Sequence, residues 1–252
     1  MNIQLIRNAT LKLNYAGKNI LVDPMLCSKE TFEPFVKGLK RNPTVDLKIP
    51  VNEVISNLDC VLVTHSHPDH FDNLSGKLLS KEIKLFCTPI DHDFFLKQEF
   101  SNIEVIEDNT NWESITITRI EGKHGSGPVL PYMGQVSGYI LQSNNEPTIY
   151  IVSDSVLVDE VKKAIEIFKP EIIITNSGGG IIPKFEAYPV LMNEKQTIEL
   201  IRLAPNSKVI AVHLESIDFC RTTRNSLREF TSRKGVSENQ LFIPKDSEVL
   251  KF

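Results

Sequence analysis

The segment His65-Ser66-His67-Pro68-Asp69-His70 places three imidazoles and a carboxylate within six residues. Side chains two apart in an extended or tightly turned stretch point the same way, so His65 and His67 are spaced to chelate one divalent ion. Asp69 and His70 lie in the turn beyond and can face a second ion beside the first. The whole chain of 252 residues has six histidines, and half of them fall in this one segment. A plainer reading makes it a solvated helix start capped by Asp69. The concentration of metal-binding groups speaks against that reading.

The elements that must hold this segment are legible around it. CVLVT at 60–64 is a continuous apolar run ended by the polar cluster, as expected of a strand buried on both faces. Before it, IQLI, TLKLNY and NILVD, separated by Asn-Ala and Ala-Gly, read as a meander of hairpins. The stretch 24–59 carries Pro24, Pro34, Pro43 and Pro50 without a regular period, which suggests a functional rim, serving as a lid or as a contact with a second copy. Further strands are expected at LFCT, SITITRI, VSGYILQS, TIYIVSD, EIIIT and VIAVH. Helices are expected from Asp91, over 155–169 up to Pro170, over 194–203 and near 223–234. Mixed strands followed by strand-helix units, with no linker, predict one α/β domain over 1–252 with helices outside and sheets inside.

Composition bounds the function. With 41% apolar and 24% charged residues, disorder and fibres are excluded, and a chain this long buries roughly three quarters of its surface. Net charge is −4, from 28 basic and 32 acidic residues, which argues against a generic nucleic-acid binder. No apolar run approaches the ~20 residues of a membrane span, and the opening lacks a basic segment leading into an apolar one. A cytoplasmic protein is therefore expected. Cys27, Cys60, Cys87 and Cys220 are far apart and read as free thiols, most of them buried.

On its H-x-H-x-D-H segment the chain resembles the metallo-β-lactamase superfamily, which implies a four-layer αββα sandwich and places for the remaining ligands. His124 in GKHG matches the third histidine of the first metal site. Asp154 in IVSDS matches the carboxylate that bridges both ions, and His213 at the end of VIAVH matches the last ligand of the second site. The resemblance thus implies one ion on His65, His67, His124 and Asp154, and another on Asp69, His70, His213 and Asp154. Taken singly, His124 is a loop residue, Asp154 a helix cap and His213 a polar strand end. His92, beside Asp91, is assigned to the surface.

Over nearly its whole length the chain resembles the branch that contains L-ascorbate-6-phosphate lactonase and related metal-dependent hydrolases, from NATLKLNYAGKNILVDP through MGQVSGYILQ and Gly178 to Gly180 to VIAVHLE. Asp23 matches the acidic residue of a "DP" turn that supports the metal site from behind; alone it is a turn residue before Pro24. Where many relatives carry Gly-His-Ala, this chain has Arg7-Asn8-Ala9.

Two adjacent divalent ions bridge a water, lower its pKa and polarise the group under attack, so hydrolysis by a metal-bridging hydroxide is expected, with Asp69 and Asp154 as catalytic carboxylates. The donor set suits Zn first, and also Mn or Fe. Asp154 argues against a β-lactam substrate, since β-lactamases proper lack it. The expected substrate is a small anionic ester or lactone. Ser177, Gly178 and Gly179 could offer backbone N–H groups to the anion, Arg221 and Arg224 could bind it, and Tyr132 could line the mouth. Against each stands a plain turn, a solvated charge or an exposed ring. A phosphodiesterase acting on a nucleotide or nucleic acid is the alternative; a metal-binding module without turnover is the third reading.

Overall fold

The computed structural model describes residues 1–252. The opening meander forms antiparallel β1 (Asn2–Arg7), β2 (Thr10–Tyr15) and β3 (Lys18–Val22). Parallel neighbours extend it at β4 (Cys60–Leu62), β5 (Lys84–Cys87) and β6 (Ile103–Val105). The second sheet repeats the plan. β7 (Asn109–Trp112), β8 (Ile115–Lys123), β9 (Gln135–Ser143) and β10 (Glu146–Ile151) run antiparallel, and β11 (Ile172–Asn176), β12 (Lys208–Val212) and β13 (Leu241–Phe242) continue in parallel. The last strand, β14 (Val249–Lys251), returns to pair with β1, so each sheet has seven strands.

One-residue alternation along the strands builds the layers. Ile20 and Val22 of β3, Leu62 of β4, Ile149 and Ile151 of β10, and Ile172 and Ile174 of β11 all enter a single core between the sheets. Their neighbours in sequence point the other way. Leu21, Val61 and Leu85 pack outward against Phe71, Phe95 and Phe100, near α2 (Asn73–Leu78) and α3 (His92–Lys97). Tyr150, Ile173 and Val209 pack outward with Val161, Leu200 and Leu227 of α4 (Asp159–Phe168), α5 (Glu194–Leu203) and α6 (Arg224–Arg233). Strands such as β4 and β11 are apolar on both faces because each face meets a different layer. The expected αββα sandwich of helices, two sheets and helices is the architecture found.

One sequence expectation needs amending. The helix expected over 155–169 begins at Asp159, because Ser155 and Val156 are held in the site loop: Ser155 Oγ accepts from the Lys123 amide at 3.0 Å, and the Val156 amide donates to Lys123 O at 2.9 Å. Its C-terminal end is as expected, with Lys169 left-handed just before Pro170. The stretch 24–59 holds one short helix, α1 (Val51–Val54), and is pinned to the chain's own body. Arg7, fully buried, donates to Met25 O and Cys27 O at 2.8 Å each and to Val45 O at 3.0 Å. Asp218 accepts from the Val36 amide at 2.9 Å and from Asn42 Nδ2 at 2.6 Å. All four cysteines are free, three buried and Cys220 half-buried. No helix is long and apolar enough to cross a membrane.

Candidate metal centre

Every residue of the centre sits at or just beyond a strand end, on one edge of the sandwich. Asp23 follows β3, the His65–His70 segment follows β4 after Val63 and Thr64, His124 follows β8, Asp154 follows β10 and His213 follows β12. The turns there are tight. Asn8, Asp23, Ser153 and His213 all adopt left-handed backbone, with φ of 58°, 45°, 64° and 60°. Non-glycine residues rarely do so unless the surroundings enforce it, and such strain collects at functional sites.

The structure brings all seven expected ligand residues together. His65, His67 and His124 present ligand atoms within 4.8 Å of one another, and so do Asp69, His70, Asp154 and His213. Asp154 lies between the two groups. Its Oδ2 is 3.2 Å from His70 Nε2, 3.3 Å from His124 Nε2 and 3.8 Å from His65 Nε2. Asp69 Oδ2 is 3.1 Å from His213 Nε2. His67 packs its ring 4.6 Å from that of His65 and 5.3 Å from that of His124. It is half-buried, whereas the other six are buried, so the centre opens on the His67 side.

The imidazoles are fixed from behind. His70 Nδ1 meets Asp23 Oδ2 at 2.8 Å, His124 Nδ1 meets Val190 O at 2.7 Å, His65 Nδ1 meets Thr64 Oγ1 at 3.1 Å, and His213 Nδ1 meets Cys220 Sγ at 3.5 Å. Every one of these bonds leaves Nε2 facing the centre, the arrangement that orients metal-binding histidines. Asp23 is itself held by the Thr64 amide at 2.8 Å and the Thr64 hydroxyl at 2.7 Å. Asn176 Nδ2 donates to Asp154 Oδ1 at 2.6 Å, which leaves Oδ2 for the centre. Asp154 is therefore no helix cap; α4 starts after an extended Val158.

Three atoms here are buried without a hydrogen-bond partner: His65 Nε2, His70 Nε2 and Asp154 Oδ2. Leaving such groups unpaired is costly, and their convergence on one point fits a divalent cation. Electrostatics agrees. Burial, reinforced by His70 and His67, holds His65 well below the ordinary imidazole value, and burial brings His124 down to about 4, so both are neutral and ready to ligate. In the carboxylate-rich group burial works the other way from the outcome: Asp154, Asp23 and Asp69 overcome it and push His70 up to about 10. His213 is likewise raised, against burial, by Asp154. That end of the centre demands positive charge, which a cation supplies in place of protons.

The residues assigned to substrate are placed less uniformly. Tyr132 is 77% exposed, with its ring 5.7 Å from Phe185, and two residues on, a side chain at Gly134 would begin 3.7 Å from His67 Nε2. This turn flanks the open side. Two of the three amides expected to cradle an anion are engaged: the Ser177 amide donates to Val212 O and the Gly179 amide to Met192 O, both at 2.9 Å. The glycines are there for packing, since a Cβ on Gly178 would fall 2.3 Å from His213 O and one on Gly179 2.3 Å from Thr222 Oγ1. Arg224 is also committed elsewhere, to Glu215, Asp246 and Pro244 O, and Arg221 is exposed with Nη1 on Asp218 O at 2.8 Å. His92 keeps the surface role assigned to it. Asn8, Thr64, Asn176 and Cys220 were not expected at the site; polar residues closing apolar strands, such as Thr64 and Asn176, were the available signal.

Comparison with known proteins agrees with this geometry. Residues 18–214 match the family model described as a β-lactamase superfamily domain. The Bacillus subtilis protein YddR, of the UPF0173 group, is 34% identical over the full length of both chains. Among solved structures, a possible metal-dependent hydrolase from Veillonella parvula superposes with a TM-score of 0.95 at 32% identity, covering 100% of this chain and 99% of that one. An isothiocyanate hydrolase from Delia radicum gut bacteria superposes with a TM-score of 0.93 at 34% identity and the same coverage. The chain belongs to the β-lactamase superfamily domain family and, within it, to the UPF0173 metal-dependent hydrolases.

Proposed function

We propose that the protein is a dinuclear hydrolase, with one cation on His65, His67, His124 and Asp154 and the other on Asp69, His70, His213 and Asp154. The observation that carries the reading is the unpartnered Asp154 Oδ2, buried among three Nε2 atoms from both groups. Bound there, Zn, Mn or Fe would lower the pKa of a shared water and polarise the substrate. Asp69 is the carboxylate placed to hold the water's proton. Asp23 and Asn176 keep His70 and Asp154 aimed, and burial of six of the seven ligand residues excludes bulk water.

The substrate class follows from what surrounds the opening. The Ser177 and Gly179 amides and the Arg224 guanidinium, expected to grip an anion, are engaged elsewhere, whereas Tyr132 and Phe185 offer apolar surface on the turn that flanks His67. We therefore favour a small, largely uncharged electrophilic carbon: an ester or lactone carbonyl, as the resemblance to the lactonase branch suggests, or a cumulated carbon like that acted on by the isothiocyanate hydrolase. A net charge of −4 supports a small molecule over nucleic acid.

The test is to load the protein separately with Zn and Mn, then compare hydrolysis of a lactone, an aryl ester, an aryl isothiocyanate and bis-p-nitrophenyl phosphate. Faster turnover of one of the carbon electrophiles, abolished in Asp154→Asn, is the expected result. Preference for the diester would make the protein a phosphodiesterase. Two bound metals with no turnover of any substrate would leave a metal-binding module.

A further inference from the structure

Asn8 is 1% exposed and sits in left-handed backbone just after β1, between residues that the two sheets send to the centre. Its Nδ2 donates to the backbone carbonyl of Asp69 at 3.1 Å, and its own carbonyl accepts from the His213 amide at 2.9 Å. A carbonyl can only accept, so the contact with Asp69 O fixes which end of the Asn8 amide is nitrogen. The other end, Oδ1, is buried and has no donor anywhere in the chain. Buried acceptors are rarely left this way, and an orphan in a native fold marks a missing partner. Asn8 is tied through both of its contacts to Asp69 and His213, the two ligand residues of the acidic group that lie farthest apart in sequence from each other.

We infer that Asn8 is a further catalytic residue, whose side-chain carbonyl accepts a hydrogen bond from the attacking water or from a substrate N–H or O–H on the Asp69–His213 side of the centre. The inference rests on the proposed hydrolysis. An acceptor there orients the water's second hydrogen, so that a lone pair faces the electrophilic carbon while Asp69 holds the other proton. No covalent bond to Asn8 is made or broken. Position and rigidity come from the backbone bond to His213 and the Nδ2 bond to Asp69.

Two variants separate the acceptor from the anchor. Asn8→Leu matches the shape and removes both polar atoms; Asn8→Asp keeps an acceptor and loses the donor to Asp69 O. Each is measured for metal content, for kcat and KM on the best substrate, and, loaded with Co(II), for its visible absorption spectrum. In Asn8→Leu, two metals per chain, a kcat reduced about 100-fold and an unchanged KM are expected, as for loss of one polar contact to the reacting group. The Co(II) spectrum should shift, and Asn8→Asp should retain most of the lost rate. A kcat within about 3-fold of the wild type and an unaltered Co(II) spectrum in Asn8→Leu would overturn the inference. It would leave Oδ1 with a buried water as its partner. Equal losses in both variants, accompanied by loss of metal, would overturn it in favour of a purely structural Nδ2 anchor. If the wild type hydrolyses nothing, the proposed function fails, and the Co(II) spectra still decide whether Asn8 touches the metal-site water.

Discussion

The two sheets are built to one plan, four antiparallel strands followed by parallel ones, yet they equip the centre in opposite ways. The first sheet delivers four candidate ligand residues, His65, His67, Asp69 and His70, from a single loop after β4. The second delivers three, His124, Asp154 and His213, each alone at the exit of a different strand. Its loop after β11, the counterpart of the loop after β4, supplies no ligand and instead braces Asp154 through Asn176. A contiguous loop gains its geometry from local turns, whereas isolated ligands need the whole sheet to set their spacing. The first sheet therefore supplies most of the donors, and the second supplies the residue that joins them.

That assignment is broken most directly at Asp154. Asp154→Asn keeps the size and the contact available to Asn176 but removes the charge shared by both groups. Metal content is expected to fall below two per chain, and turnover on the order of 1000-fold, read by elemental analysis and initial rates. A variant retaining two metals and most of its activity would show that the second sheet merely closes the site. A finer comparison sets His65→Ala against His213→Ala. Each removes one ligand from one group, so each is expected to retain about one metal and to lose on the order of 100-fold in rate. Loss of both metals in only one of the two variants would reveal which sheet organises the centre.

The same contrast explains what could be read in the sequence. His65 to His70 announce their chemistry through spacing alone, and the continuous apolar run CVLVT implies a strand buried on both faces, as β4 is between its two layers. His124, Asp154 and His213 carry no local pattern, and only resemblance to a family connected them. Asn8 and Cys220 were illegible because their roles depend on contacts with Asp69 and His213, across 61 and 7 residues of chain, made only once the sheets meet. Ser177 to Gly180 are ambiguous in sequence for a related reason: glycines that relieve crowding and glycines that cradle an anion look identical there, and only the hydrogen-bond partners of their amides tell them apart. The helical pattern over 155–169 exceeds the helix itself because residues 155–158 obey the site and not the helix.

Support from behind the ligands should cost less than the ligands themselves. Asp23→Asn weakens the acceptor behind His70 on the first sheet, and Asn176→Ala removes the donor behind Asp154 on the second. Each is expected to lower metal affinity roughly 10–100-fold while two metals still bind at saturating concentration, as measured by competition with a chromogenic chelator. Asp23→Asn should be the more damaging, since the Asp23 carboxylate also holds the amide and hydroxyl of Thr64, next to His65. Equal or reversed losses would mean that the isolated ligand depends on its brace more than the loop does.

Away from both groups the effects should become purely structural. Arg224 has its guanidinium on Glu215, Asp246 and Pro244 O, so Arg224→Ala should leave turnover within about 2-fold and cost roughly 1–3 kcal/mol of stability. The pH dependence of that loss has a definite sign. Burial raises the Asp246 carboxyl, and Arg224 pulls against it. A carboxyl raised on folding binds its proton more readily in the folded state, so its contribution to stability declines as pH rises from the ordinary carboxylate range through the raised value. Removing Arg224 widens that window. The difference in melting temperature between Arg224→Ala and wild type should accordingly be larger at pH 7 than at pH 4. A fall in turnover with unchanged melting temperature would instead return Arg224 to the substrate.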